Sequence, residues 1–351
     1  MNAPVSRAHA PSSIASIAIP LDFLRAAVLR LAGRPGRVFL SDRAARVGLY
    51  AAFGLAVTLA IACLAPVWAF ALGPIVLGVP HLVADVRYLV VRPRLHERRL
   101  LVLAVGVPLV LATIVQSPAL GLAAGVGAIV FATSDRVELS RIRVALLAAI
   151  GVAIALSARS PRTASLVLLH GHNALAVVVF LVAFARSRRV GAFVALLAVA
   201  ATGALLGGVF DSVLLNAVTG SGPRTGLSFA GMLDILAPNV TDPVLAMRVA
   251  VLFVFAQGFH YVIWLRIVPE EARERAGIRS FGSSIAALER EIGIGLVVVV
   301  ALLALALFAR AGTSLEAARV LYLRASGFHG YLEIAFLLFW LSSRQKPCPS
   351  V

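Results

Sequence analysis

The chain has 351 residues, 60% of them hydrophobic and 14% charged, with a formal net charge of +16. An ordinary soluble domain carries about a quarter charged residues, so the composition excludes one. The positive charge comes from 31 Arg and a single lysine, Lys346. Most of the arginines flank apolar runs, which points to membrane topology and contact with anionic lipid, and away from nucleic acid.

Residues 1–46 read as a cytoplasmic N-terminal segment. It has no cleavable signal pattern, and Leu21–Ala32 forms a short amphipathic helix suited to the membrane interface. From Val47 onward the chain is a succession of apolar runs of about 16 to 26 residues, the length that crosses a bilayer core. They predict an all-α fold, a polytopic integral membrane helix bundle of about ten transmembrane helices. The expected spans are 47–65, 70–91, 99–116, 118–134, 143–158, 163–185, 190–210, 244–268, 292–309 and 318–341. The bundle thus occupies 47–341, and 342–351 is a cytoplasmic tail. One connection stands out: Asp211 to Asp242 is long, carries Gly220 and Pro223, and contains a second short amphipathic stretch, Leu227–Leu236. Connections of this length are usually functional, and this one is expected to cap the outer mouth of a site.

Arginine counts set the orientation. With the N-terminus inside, the cytoplasmic segments carry seven, four, three, three and five Arg, followed by Arg344 and Lys346 in the tail. The outer connections carry none, none, two, two and three. This arrangement fits the inner membrane of a bacterium with both termini cytoplasmic. Because Lys346 is the only lysine, no lysine within a span can form a retinal Schiff base, and a rhodopsin is excluded. The two cysteines, Cys63 and Cys348, form neither a Cys-x-x-Cys metal motif nor a haem-attachment motif.

Five of the seven histidines lie inside apolar runs: His81, His170, His172, His260 and His329. His9 and His96 sit in polar flanks and take no role. Ionisable groups in hydrocarbon are costly, so they face the bundle interior and mark sites. The four spans that carry these histidines all run in the same direction. Counted from the span starts, the histidines fall within roughly 14 Å of one another along the membrane normal. His170 and His172 point about 200° apart on a regular helix, so one of the pair is a ligand and the other faces elsewhere. Asp85 follows His81 by four residues and Glu333 follows His329 by four, which puts each acid on the face of its histidine. Each acid either orients an imidazole through its second nitrogen or binds the metal itself. Phe259, Tyr261, Trp264, Phe328 and Tyr331 read as packing or lipid-facing residues.

Gly78-Val-Pro-His81-Leu-Val-Ala-Asp85 resembles the Pro-His-Gly-x-x-Asp pattern of the Brp/Blh family of membrane β-carotene 15,15′-dioxygenases. In this chain Leu82 stands where that pattern has glycine, and His170-Gly-His172 stands in for a histidine pair four residues apart. The resemblance implies a histidine-held Fe2+ that cleaves a lipophilic carotenoid with O₂, with Asp85 inside the matched stretch; Glu333 lies outside it and is a catalytic candidate by its spacing from His329 alone. Two other readings of the residues remain open. One is a haem- or copper-binding electron carrier, and the other is a transporter with buried His and acid groups. Zinc also suits imidazole ligands.

The topology predicts that a cysteine engineered at Gly222 is labelled by an impermeant maleimide on intact cells, and that one at Gln345 is labelled only after lysis. The reverse pattern would invert the orientation.

Overall fold

A computed structural model describes residues 18–132, 140–219, 227–274 and 277–343. Parts of the N-terminal segment, Gly220 to Pro223, and Lys346 and Cys348 in the tail lie outside these residues. Every regular element described is helical. In chain order the α-helices are α1 (Ile19–Leu31), α2 (Gly33–Ser41), α3 (Arg43–Leu64), α4 (Pro66–Asp85), α5 (Arg99–Val115), α6 (Pro118–Val130), α7 (Arg141–Arg159), α8 (Pro161–Val179), α9 (Arg188–Leu206), α10 (Asp211–Thr219), α11 (Phe229–Leu236), α12 (Pro243–Val262), α13 (Val268–Glu271), α14 (Phe281–Ile292), α15 (Ile294–Thr313), α16 (Leu315–Ala325) and α17 (His329–Ser343).

Among the described residues seven helices are long and apolar enough to cross a membrane: Arg43–Leu64, Pro66–Val91, Arg141–Arg159, Pro161–Phe184, Arg188–Leu206, Pro243–Glu271 and Ile294–Thr313. The protein is an all-α membrane bundle. The expected count of ten is not reached by length alone. α5 has 17 residues and α6 has 13, about 25 and 20 Å at 1.5 Å per residue, against a core of about 30 Å. The expected span 318–341 is divided between α16 and α17 by a turn at 326–328. A Ser-Gly pair, Ser326-Gly327, occupies that turn, and such pairs are a recognised cause of helix breaks.

The chain divides into two compact units, 1–46 with 274–302, and 47–273 with 303–351. In the first unit the expected amphipathic helix is present as α1. Asp22 accepts hydrogen bonds from the backbone N–H groups of Phe281 and Gly282 at 2.7 and 3.1 Å, capping the start of α14. Arg25 donates to Asp22 and to the Arg279 carbonyl, and its guanidinium lies over the Phe281 ring. Ile19, Leu21, Phe23, Leu24, Val28 and Leu31 remain exposed, the apolar surface that an interfacial helix gives to lipid.

The second unit holds the bundle core. α12 is its most enclosed span, with two thirds of its most apolar stretch buried, and it packs against α4, α8 and α9. α6 lies against α5, α7 and α17. Small residues make this close approach possible. Gly121 receives the face of the Tyr331 ring, and Gly127 lies against the backbone of Ala104 on α5. Three of the long helices end in π-helical turns, at Val86–Val91, Phe180–Phe184 and Ile263–Ile267. These turns follow α4, α8 and α12, the helices that carry His81, His170 with His172, and His260. π turns recur next to functional sites.

Within the long 211–242 connection, α10 and α11 form as helices, and the Leu227–Leu236 stretch appears as α11. Arg248 on α12 grips Asp211 with two hydrogen bonds, and this pairing holds the Asp211 carboxyl below the usual carboxylate range. Gly208 sits beside the pair at φ +80, where any side chain would strike the guanidinium.

A Cβ at position 127 would lie 2.8 Å from the Ala104 carbonyl carbon, whereas one at position 106 meets nothing within 4 Å. Gly127→Ala is therefore expected to destabilise the bundle by about 1–3 kcal/mol, read as a lower thermal midpoint in detergent by circular dichroism. Gly106→Ala should leave the midpoint unchanged or slightly raised.

Candidate metal centre

Six side chains from four helices meet in the core of the second unit. His81 and Asp85 come from α4, His172 from α8, His260 from α12, and His329 and Glu333 from α17. The imidazole rings are neighbours, with centroids 4.6 Å apart for His81 and His260, 5.1 Å for His172 and His329, 5.2 Å for His81 and His329, and 5.3 Å for His172 and His260. Ligand atoms of His81, His260 and His329 lie within 4.8 Å of one another, and so do those of His81, Asp85 and Glu333. His81, Asp85 and Glu333 are 0% exposed and His260 is 1% exposed. The carboxylates are closed off from bulk solvent.

Local irregularities place these groups. Pro80 removes a backbone donor just before His81, and Pro74 does so two turns earlier. In the break before α17 the Ser326 carbonyl accepts both the backbone N–H of His329 at 3.0 Å and a 2.6 Å hydrogen bond from Nδ1–H of the same residue. Nδ1 of His172 likewise donates to the carbonyls of Leu169 and Leu168, at 3.0 and 3.2 Å. A carbonyl oxygen only accepts, so both rings carry their proton on Nδ1 and expose an Nε2 lone pair. That is the tautomer a metal-binding imidazole needs, held by a backbone carbonyl on the far nitrogen. Gly330 lets α17 approach α8 closely, because a Cβ there would lie 3.3 Å from Cβ of His172.

The acids take the ligand side of the cluster. Asp85 Oδ1 lies 3.3 Å from His81 Nε2, while Glu333 Oε1 lies 3.3 Å from His260 Nε2 and 4.0 Å from His81 Nε2. Glu333 therefore reaches across to α12 and α4; no ion pair joins it to His329 on its own helix. The Nε2 atoms of His81 and His260 face each other at 2.6 Å. Two ligands about 2.1 Å from one ion and at right angles stand about 3 Å apart, so a shift of a few tenths of an ångström seats both on a common cation. Both oxygens of Asp85 and the Nδ1 atom of His81 are buried without a hydrogen-bond partner, and the Trp264 indole is the side-chain hydrogen-bonding neighbour of Glu333. Among the described residues, imidazoles are the only ion-pair partners of the two acids. Buried charge left in this condition costs several kcal/mol per ion. A divalent cation balances two carboxylates with four neutral imidazoles, whereas two such cations would leave an excess of +2 in a low-dielectric core. The donor set fits one ion.

A cavity of about 250 Å³ adjoins the cluster. His172, His260 and His329 line it, while the acids and His81 lie behind them. The centre is therefore closed on its carboxylate side and open on its histidine side. Tyr261 and Trp264, expected to be packing residues, pack edge-on to His81 and are 4% and 0% exposed. The cavity also borders Tyr261, Asn173 and Gln257. Gln257 escaped the sequence reading, although an amide three residues before His260 in an apolar run was a visible signal.

His170 does not join the cluster. Its Nε2–H donates to the Leu236 carbonyl at 2.8 Å, and its ring packs on Phe253. α8 continues as a regular helix through Gly171, so the pair diverges as helical geometry requires. His170 instead ties the long connection to the bundle. None of the described residues of that connection lines the cavity, so its expected role as a cap over this mouth is not what the packing shows.

No protein-family model, curated protein or solved structure matches the chain. What the site does is argued from its geometry.

For a divalent ion held here, His172→Ala is expected to lower bound metal by about tenfold or more, measured by elemental analysis after loading and gel filtration. His170→Ala should keep the wild-type metal content. Equal losses in the two variants would contradict this division of roles.

Proposed function

We propose that the protein is a membrane-embedded non-haem iron oxygenase acting on a lipophilic substrate, set in a bacterial inner membrane with both termini cytoplasmic. The observation that carries the reading is a buried pair of ligand-spaced groups sharing His81, namely His81, His260 and His329, and His81, Asp85 and Glu333, with the His172 ring packed on His260 and His329 beside a cavity. Imidazole and carboxylate ligands without thiolate suit iron, and also copper and zinc; Cys63 belongs to the hydrophobic core. An iron held there supplies O₂ activation.

The residues around it have separable tasks. His172 and His329 present fixed lone pairs toward the cavity. Asp85 and Glu333 supply compensating negative charge from the closed side. The surrounding apolar helices keep bulk water out of the centre, where it would compete for open coordination positions. The resemblance to the β-carotene dioxygenases implies cleavage of a carbon–carbon double bond. In that reaction one O₂ is consumed and each new carbonyl receives one oxygen atom.

Elemental analysis and a visible spectrum of the purified protein test the reading. About one iron per chain with no Soret band is expected, followed by incorporation of ¹⁸O from ¹⁸O₂ into products of a membrane lipid extract. A Soret band, or no metal, removes the proposal. Stoichiometric iron without any oxidised product leaves the centre standing and removes the oxygenase.

A further inference from the structure

The wall of the cavity holds one polar group that the fold leaves unused. Six deeply buried residues with polar side chains line it: Asn173, Gln257, His260, Tyr261, Tyr322 and Ser326. Five are accounted for. His260 belongs to the centre. The Tyr322 hydroxyl has Tyr261 and Ser326 as its hydrogen-bonding neighbours, and the Ser326 hydroxyl donates to the Leu323 carbonyl at 3.5 Å. Asn173 donates to the Leu169 carbonyl, and its Oδ1 is sealed off from the cavity. Gln257 differs. It is 7% exposed and makes no hydrogen bond to any described residue, yet neither atom of its amide is among the sealed ones. The amide therefore opens on the cavity that Gln257 lines. A buried amide costs free energy until something bonds it.

Its position says what that partner is. Gln257 precedes His260 by three residues on α12, which is regular through Val262. The two side chains are neighbours on one helix face, with Cβ atoms about 5–6 Å apart. Gly258 presses α12 against α3, where a Cβ would lie 2.9 Å from Thr58 Cγ2, and this contact fixes the rotation of the helix. His172, His260 and His329 border the same cavity, while Asp85, Glu333 and His81 do not. A molecule reaching the centre from its open side therefore enters the space that Gln257 shares with the three rings. A ligand held by a cation keeps lone pairs that call for a donor. The centre offers none on this side, because His172 and His329 commit their Nδ1 protons to backbone carbonyls and the acids lie behind. The Nε2–H groups of Gln257 are free to supply it.

We propose that Gln257 donates a hydrogen bond to a small exogenous ligand with an oxygen or nitrogen donor atom, bound to the cation on the cavity side of the centre. The proposal rests on the metal centre of the preceding reading and not on its oxygenase chemistry.

Azide titrated into Co2+-loaded protein in lipid nanodiscs, followed by the visible bands of the cobalt, tests it. Co2+ takes the same imidazole and carboxylate ligands. Saturable azide binding is expected for the wild type. Gln257→Met, close in volume and without polar hydrogens, should keep the wild-type Co2+ content and bind azide about tenfold more weakly, the loss of one hydrogen bond to a charged partner. Its metal-free thermal midpoint should be unchanged or higher, because the amide has no protein partner to lose. If Gln257→Met does not fold, Gln257→Asn decides, since it keeps an amide but withdraws it by one methylene, and a loss of azide affinity at full Co2+ content is again expected. Wild-type azide affinity in the variant that decides overturns the proposal. So does a lower midpoint together with lost Co2+, which would make Gln257 a structural residue. Co2+ that binds without taking up azide overturns this inference and leaves the metal centre standing. A wild-type chain that holds no Co2+ removes both. Iron without any oxidised product removes the oxygenase and leaves this inference in place.

Discussion

Two carboxylates buried at zero exposure inside an apolar bundle are the constraint around which the second unit is organised. Neither Asp85 nor Glu333 has an Arg or Lys partner among the described residues, and the oxygens of Asp85 accept no hydrogen bond. Groups in that state persist only where something compensates them. Four imidazoles converge on them from separate helices, and the proposed divalent ion would balance the set. On that proposal chemistry and fold stability are coupled, because the ion that would react would also make the burial of the acids tolerable.

The helix irregularities follow from that convergence. Straight helices present side chains along stripes, and four stripes do not by themselves bring six groups to one point. Pro80 disrupts α4 beside His81, the π turns re-register α4, α8 and α12 just past their histidines, and the break at 326–328 starts α17 on a ligand. Each departs from regular backbone bonding and sits where it re-aims a functional side chain, the usual location for such features. The Ser326 carbonyl, which accepts the backbone N–H of His329 in the turn, also fixes the tautomer of that ring. Glycines do the complementary work, letting α17 approach α8 at Gly330 and letting Tyr331 lie on α6 at Gly121.

The centre and the cavity divide their tasks by side. The carboxylates and His81 close one face, and His172, His260 and His329 open the other onto a small chamber rich in tyrosine and amide. The acids of the cluster thus lie on the side away from the cavity, and three of its histidines border it.

Much of this was legible in the sequence. Composition and the lengths of the apolar runs determined an all-α membrane bundle, because hydrocarbon admits no other way to satisfy the backbone of such runs. The cost of ionisable groups in lipid singled out His81, His260, His329, Asp85 and Glu333. Helical geometry required His170 and His172 to diverge, but which of them turns inward depended on the rotation of α8 against its neighbours, and that is a property of packing. Packing also decided that Glu333 serves His260 and His81 and not His329, that α5 and α6 are shorter than the bilayer core, and that the last apolar run is two helices. Tyr261 and Gln257 acquired their place at the cavity in the same way. Local sequence determines which groups are expensive to bury; only the assembled helices decide which of those groups meet, because that depends on rotations and translations that no single segment encodes.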